Sequence, residues 1–338
     1  MIQNIIDEIN EDDIVVISPL NWGMGHASRC IPLIKLLKEK AEKVIIFADG
    51  KSYALLALEN PEVIQLRRLP LYYGSKSVIF NMIINIPSLM INYGLDRISA
   101  YKITKRNKAS VVISDNRFGF RAKGVINIYI SHQINILHSN NFISKIATTI
   151  HKYVIHKFNK LWIPDTETHA ISGNLSVVDG FKIPVKFIGP LTRIVQKNLP
   201  KNIDILIVLS GIEPQRSLFE SILLNSLSDI DNFRIVLVRS TSKPFTHSVQ
   251  ENVQVYDIVE TDRMNAFLNS AKVLISRSGY STLMDIYDLD LKAIFVPTPG
   301  QTEQEYLAKI TADGEKYFTL DQSEIKTSLI QLIKSQLQ

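Results

Sequence analysis

Cysteine is nearly absent from this chain. A single one, Cys30, in 338 residues rules out an internal disulfide and fits a reducing compartment. A basic leader is missing too: the opening MIQNIIDEINEDD is acidic, so no secretory signal is expected. The dinucleotide fingerprint is not there. The loop Gly23-Met24-Gly25-His26 puts a histidine after its second glycine and brings no third. Asp288-Leu289-Asp290 sits at a helix end, away from any glycine turn, so no metal site is expected. There is no interleaved aromatic-basic platform and no recognised binding motif, which sets nucleic acid aside as a partner. From Ser77 to Leu95 charge itself is missing, over nineteen residues reading SVIFNMIINIPSLMINYGL.

What is there suits a globular α/β protein of about two domains. Hydrophobic residues make up 46% and charged ones 21%, enough for proper cores. The net charge of +5 hides an asymmetry. Through Arg193 there are 24 Lys and Arg against 15 Asp and Glu, or +9; after it 14 face 18, or −4. A basic first half is either a solvated surface or a face for an anionic membrane or acidic substrate. The organisation expected is a first Rossmann-like domain over 1–193, a second over 203–322 and a closing helix over 323–338. That helix could pack back onto the first domain.

In the first half, 13–18 (DIVVIS) reads as a buried parallel strand. The loop 19–26 follows, then a helix over 27–40 with Ile31, Ile34 and Leu37 in helical period. His26 therefore falls at the C-terminal edge of a strand, where open α/β sheets bind ligands. An imidazole there can take a proton from an attacking hydroxyl; the plain alternative is a helix-capping histidine. Asp115 ends the strand pattern 111–114 and is placed to hold that histidine's tautomer, or to serve as a loop cap or surface ion pair. After further strand patterns at 43–48 and 63–66, the pattern 125–130 leads into His132-Gln133. The uncharged stretch is not read as a membrane span, because Pro87 and Gly94 interrupt it. Asn81, Asn85, Ser88 and Asn92 also draw a polar stripe along one helix face. It packs inside the domain or lies in a membrane interface, with Lys102, Lys105, Arg106 and Lys108 toward anionic headgroups.

In the second half, 273–308 reads strand, glycine turn, helix, strand, proline loop, helix. Ser276-Arg277-Ser278-Gly279 is the turn, and Ser281 or Thr282 can cap the next helix. Unpaired first-turn amides make an anion site that Gly279 leaves open. Asp285 can accept two hydrogen bonds from a ribose diol. Pro297-Thr298-Pro299-Gly300 delivers Glu303-Gln304, an acid beside an amide, suited to sugar hydroxyls. The plain alternative is a βαβ unit whose loops are merely solvated.

The order S-R-S-G-x-x-T-x-x-D, then P-x-P-G-x-x-E-Q-x-x-x-A, resembles the donor half of GT-B glycosyltransferases, and in particular the MurG-like N-acetylglucosaminyltransferases. The resemblance implies two Rossmann-like domains with parallel sheets facing a cleft. Arg277, Ser278, Gly279, Ser281 and Thr282 would hold the nucleotide diphosphate, Asp285 the ribose and Gln304 the donor sugar. That family usually has Glu at the position of Asp285, His-Gln where this chain has Glu303-Gln304, and Asn at Leu307. The Glu303-Gln304 pair is instead similar to the Asp-Gln of UDP-dependent natural-product glycosyltransferases, which leaves the donor sugar open. In the first half, Gly23, Gly25 and His26 resemble the acceptor-side loop, with His26 as base. His132-Gln133 is similar to a His-Glu-Gln-Asn acceptor loop. Gly189-Pro190-Leu191-Thr192-Arg193 resembles a hinge whose arginine faces the donor, and Ser210-Gly211 matches a second glycine loop by position.

The activity so implied is inverting transfer of a hexose, such as N-acetylglucosamine, from a UDP-sugar to a lipid-linked or other membrane-proximal hydroxyl. No cofactor or metal is expected. Location would be cytoplasmic, peripheral at the inner membrane face. Two alternatives stay open. Gly25-His26-x-x-Arg29-Cys30 is similar to the G-H-x-x-R-C of a UDP-sugar hydrolase, and a catalytically dead nucleotide-sugar sensor would use the same scaffold.

Overall fold

The computed structural model describes residues 7–22, 24–71, 78–228 and 230–337, with 78–83 described as backbone alone. It divides into two compact units at Thr192/Arg193.

The first unit is a parallel sheet of β1 (Ile14–Pro19), β2 (Lys43–Ala48), β3 (Ile64–Gln65), β4 (Val111–Asp115), β5 (Ile126–Ile130), β6 (Lys160–Ile163) and β7 (Val185–Phe187). Their spatial order is β3-β2-β1-β4-β5-β6-β7. Val15, Val16, Ile17, Val111, Val112 and Ile113 are wholly buried, as expected of a sheet covered by helices on both faces. The helices are α1 (Gly25–Lys40), α2 (Gly50–Glu59), α3 (Val78–Asn107) and α4 (Asn141–Ile155). Strand order reverses between β1 and β4, whose ends pair Pro19 with Asp115. The loops leaving those two strands diverge there, which opens a crevice for ligands.

The second unit repeats the plan with β8 (Ile203–Val208), β9 (Ile235–Val238), β10 (Val253–Tyr256), β11 (Ala271–Ser276), β12 (Lys292–Phe295) and β13 (Tyr317–Thr319). All pairings are again parallel, in the order β10-β9-β8-β11-β12-β13, with the switch point between β8 and β11. Its helices are α5 (Gln215–Ser226), α6 (Thr261–Ser270), α7 (Tyr280–Ile286), α8 (Thr302–Thr311) and α9 (Ile325–Leu337). Ile325, Leu329 and Ile333 of α9 join Ile205, Ile207 and Phe219 in one core. The apolar stripe of the closing helix is therefore used by its own unit. These three residues, spaced four apart, form one apolar stripe along the helix.

The uncharged stretch also differs from the expectation. Pro87 and Gly94 do not interrupt it; both lie inside the thirty-residue α3. Nor are the apolar residues over 84–91 core. Of the polar stripe, Asn81 lies outside the residues with described side chains, Asn85 is buried, and the part-exposed Asn92 amide accepts from Leu69 N at 2.8 Å and donates to Leu69 O at 3.0 Å. Ile84, Ile86, Leu89, Ile91 and Met90, the last 70% exposed, face outward. The two bonds to Leu69 hold the part-exposed Asn92 against the chain that follows β3. On α4 the same outward grease recurs at Phe142 (71% exposed), Ile143, Ile146, Ile150 and Tyr153. None of the described helices is long and apolar enough to cross a membrane.

Candidate active site

In the first unit, side chains converge at the β1/β4 switch point. The helix after β1 begins at Gly25, two residues earlier than its apolar period indicates, with Met24 as N-cap and no side-chain cap bond. His26 therefore sits inside the first turn and is not a capping residue. Its ring Nδ1 lies 3.1 Å from Asp115 Oδ1. Asp115 is the last residue of β4 and has no exposed surface.

Arg29 lies one helical turn beyond His26 and is 1% exposed. It binds both carboxylate oxygens of Asp115, donating from Nε to Oδ2 at 2.7 Å and from Nη2 to Oδ1. Nη2 also approaches His26 Nδ1 at 2.8 Å, and Nη1 approaches His132 Nδ1 at 3.0 Å. His132 comes from the loop after β5 and is buried. Two histidines, one arginine and one aspartate, drawn from the start of α1, the end of β4 and the loop after β5, thus form one connected group.

Burial by itself would raise the Asp115 carboxyl, but the Arg29 guanidinium and then His26 outweigh it and hold the pKa well below the usual carboxylate range. Asp115 is an anion at any working pH. Cys30 donates from Sγ to Asp115 Oδ2 at 3.4 Å, and burial, reinforced by that carboxylate, pushes its thiol up. It serves as a weak donor, not a nucleophile. Behind the group, Tyr129 donates to Asn116 Oδ1 at 2.6 Å and lies 3.4 Å from His151 Nε2. Burial, then the Asp115 charge, push the Tyr129 phenol up. Burial pulls His151 down to about 4. Below the loops, Arg117 bridges Asp96 (2.9 Å) and Asp49 (2.6 Å), and Arg68 adds a second bond to Asp96 at 2.7 Å. That network fixes the loop after β4 against α2 and α3.

Gly25 opens α1, and its carbonyl accepts from Ser28 Oγ at 3.1 Å. Gly23 lies outside the described residues. Gln133, beside His132, is part-exposed, and its carbonyl accepts from Ser131 Oγ.

In the second unit, the turn after β11 meets the loop after β8, Ser276 pairing with Val208. Gly279 is the N-cap of α7, so Ser281 and Thr282 lie within the helix and cap nothing. Glycine has no side chain to offer the first-turn amides. Asp285 is part-exposed near the end of that short helix. Arg277 departs from its expected role at the diphosphate: its guanidinium is fully buried. It donates to the carbonyls of Val296 and Pro297, both at 3.0 Å, and to Gln322 Oε1 at 2.7 Å, and it stacks 3.9 Å from the Phe219 ring centroid. It ties three loops together from behind, so its side chain is taken from the donor set.

Gln304 is likewise tied in. Its carbonyl accepts from Ser278 Oγ at 2.7 Å and its Oε1 from Thr298 N at 2.8 Å, locking the glycine turn to the proline loop. Glu303 beside it is part-exposed. Arg193 Nη1 donates to Thr261 Oγ1 at 3.1 Å. Ser210 and Gly211 follow β8, with Gly211 at φ 96°, a left-handed turn that suits glycine. No group of three or more His, Cys, Asp or Glu among the described residues is placed to hold a metal.

Residues 223–338 match the model of the glycosyltransferase family 28 C-terminal domain. The fold is GT-B. Over 97% of this chain and 93% of the other, it superposes on the glycosyltransferase of kitacinnamycin with a TM-score of 0.62 at 12% identity. An uncharacterized glycosyltransferase of Methanosarcina acetivorans is 23% identical over 315 residues, 86% of this chain and 81% of that protein. A Sulfurihydrogenibium protein is 32% identical over 116 residues, 34% of this chain and 32% of its own length. It is named as a UDP-N-acetylglucosamine–N-acetylmuramyl-(pentapeptide) pyrophosphoryl-undecaprenol N-acetylglucosamine transferase.

Arg29, which joins Asp115 to both histidines, is not among the site candidates that the sequence singles out. Its spacing of three from His26 puts both on one helix face, and that was the available signal. Arg117, Tyr129 and His151 carried no local signal at all.

Proposed function

We propose that this GT-B protein is an inverting glycosyltransferase that moves a hexose from a UDP-sugar to a hydroxyl of a lipid-linked or other membrane-proximal acceptor. His26 removes the proton from the attacking hydroxyl, and Asp115 stabilises the resulting imidazolium through Nδ1. Backbone amides after Gly279 and near Gly211, with Ser278, Ser210 and Arg193, steady the leaving diphosphate without a metal. Asp285 holds the ribose; Glu303 and Gln304 meet the sugar.

The observation that carries the reading is the 3.1 Å contact between His26 Nδ1 and the buried Asp115, made at the C-terminal edge of a parallel sheet. The family 28 match over the second unit supports a nucleotide-sugar donor. The outward apolar faces of α3 and α4, with Lys102, Lys105, Arg106 and Lys145 on the same helices, support a peripheral site at an anionic membrane, at its cytoplasmic face.

Water as acceptor is the second reading. It is favoured by the way Arg29 and Cys30 of the Gly-His-x-x-Arg-Cys stretch both bind Asp115. UDP release from a panel of UDP-hexoses, with and without a membrane extract, separates the two. Release that needs the extract supports transfer; equal release without it supports hydrolysis. None under either condition overturns both.

A further inference from the structure

We infer that Arg29 is a positioning residue that sets which ring nitrogen carries the proton on His26 and on His132. The inference deepens the reading of His26 as base and rests on it for its kinetic consequence, but the proton positions follow from donor and acceptor chemistry alone. A guanidinium has hydrogens to give and no lone pair to accept with. At 3.0 Å from Arg29 Nη1, His132 Nδ1 must therefore accept, which places the proton of the neutral ring on Nε2.

His26 Nδ1 faces two opposed partners. It lies 2.8 Å from Arg29 Nη2, which can only donate, and 3.1 Å from Asp115 Oδ1, which as an anion can only accept. When Arg29 holds Nδ1, the proton sits on Nε2 and the outer nitrogen has no lone pair for a hydroxyl. When Asp115 holds Nδ1–H, Nε2 is free to act as base. The proton count is the same in both states; one hydrogen moves between ring nitrogens and Nη2 gives up one hydrogen bond. Arg29 thereby selects between a resting donor and a working base, and the shorter contact favours the resting form in the unliganded protein.

The proton positions are read directly by two-bond 1H–15N correlation spectra of 15N-histidine-labelled, unliganded protein. The expected result is His132 as the Nε2–H tautomer and His26 predominantly so. In Arg29→Lys a single Nζ cannot span the carboxylate and both rings, so His26 should shift toward Nδ1–H and the His132 preference should weaken. For that variant kcat should change at least about fivefold with the donor KM within about twofold. An Nδ1–H tautomer at His132 in the native protein overturns the inference, as do tautomers that Arg29→Lys leaves in place. The native spectrum decides the matter even if the variant fails to fold, and it decides independently of which sugar or acceptor is used.

Discussion

Asp115→Asn is the sharpest test of the site's electrostatics. The change keeps the side chain's shape and removes its charge, leaving Arg29 cationic at 1% exposure. An asparagine can still accept from Nε, but its NH2 would then face Nη2, donor against donor. Removing one partner of a buried ion pair costs about 3–5 kcal/mol, because the survivor stays buried and uncompensated. For a unit of this size each kcal/mol moves Tm by about 2–4 °C, so a fall of about 10 °C is expected. Arg29→Met should cost a similar amount, stranding the carboxylate instead. The double variant strands neither, and should lie at least about 2 kcal/mol above the sum of the two losses.

Denaturant unfolding followed by tryptophan emission is the suitable assay. Both tryptophans, Trp22 and the wholly buried Trp162, belong to the first unit, so the signal reports that unit alone. Acid should add a signature. The folded Asp115 carboxyl lies below its unfolded value of about 4, so the pair's contribution is whole above that pH and is lost as pH falls further. Additive single losses, or an Asp115→Asn cost under about 1 kcal/mol, would refute the reasoning.

The other predictions are more local. His151 is pulled down by burial from about 6.5 to about 4, so its neutral form stabilises the fold above pH 6.5, and about 3 kcal/mol should drain away as pH falls toward 4. His151→Leu should flatten that limb of the stability curve, and an unchanged slope would contradict it. His26→Ala should lower kcat at least about 10²-fold with little change in donor KM; a loss confined to KM would remove the base assignment. Asp285→Ala should mainly weaken UDP binding, measured by calorimetry, and unchanged UDP affinity would remove the ribose assignment. The native protein should sediment with phosphatidylglycerol vesicles and not with phosphatidylcholine ones. Met90→Glu combined with Phe142→Glu should lose that binding at least tenfold, and equal binding by both proteins would argue against the membrane face.

Much of this protein can be read without coordinates. Apolar β-branched runs at 13–18, 205–209 and 273–275, each followed by a glycine or polar loop and a helical period, with a further run at 111–114, define two parallel-sheet units. Those patterns are local, and a period of hydrophobicity survives any tertiary arrangement. His26 and Asp115 were also legible as strand-edge residues. Ser281 and Thr282 fit the preference for the cap of α7, whereas the turn puts Gly279 there, with no side chain to bond the first-turn amides. Arg277 looked like a phosphate ligand by its place in the turn, yet its side chain runs backward to carbonyls of Val296 and Pro297.

Tertiary structure alone decided what surrounds the histidine and which way α3 faces. Arg29 meets Asp115 across 86 positions of chain, and His132 across 103, separations over which composition and spacing carry no signal. The uncharged stretch has a polar and an apolar side, and the pattern cannot say which is turned inward. Tertiary packing settles it by burying Asn85 and holding Asn92 on the backbone of Leu69, while isoleucines and Met90 face solvent.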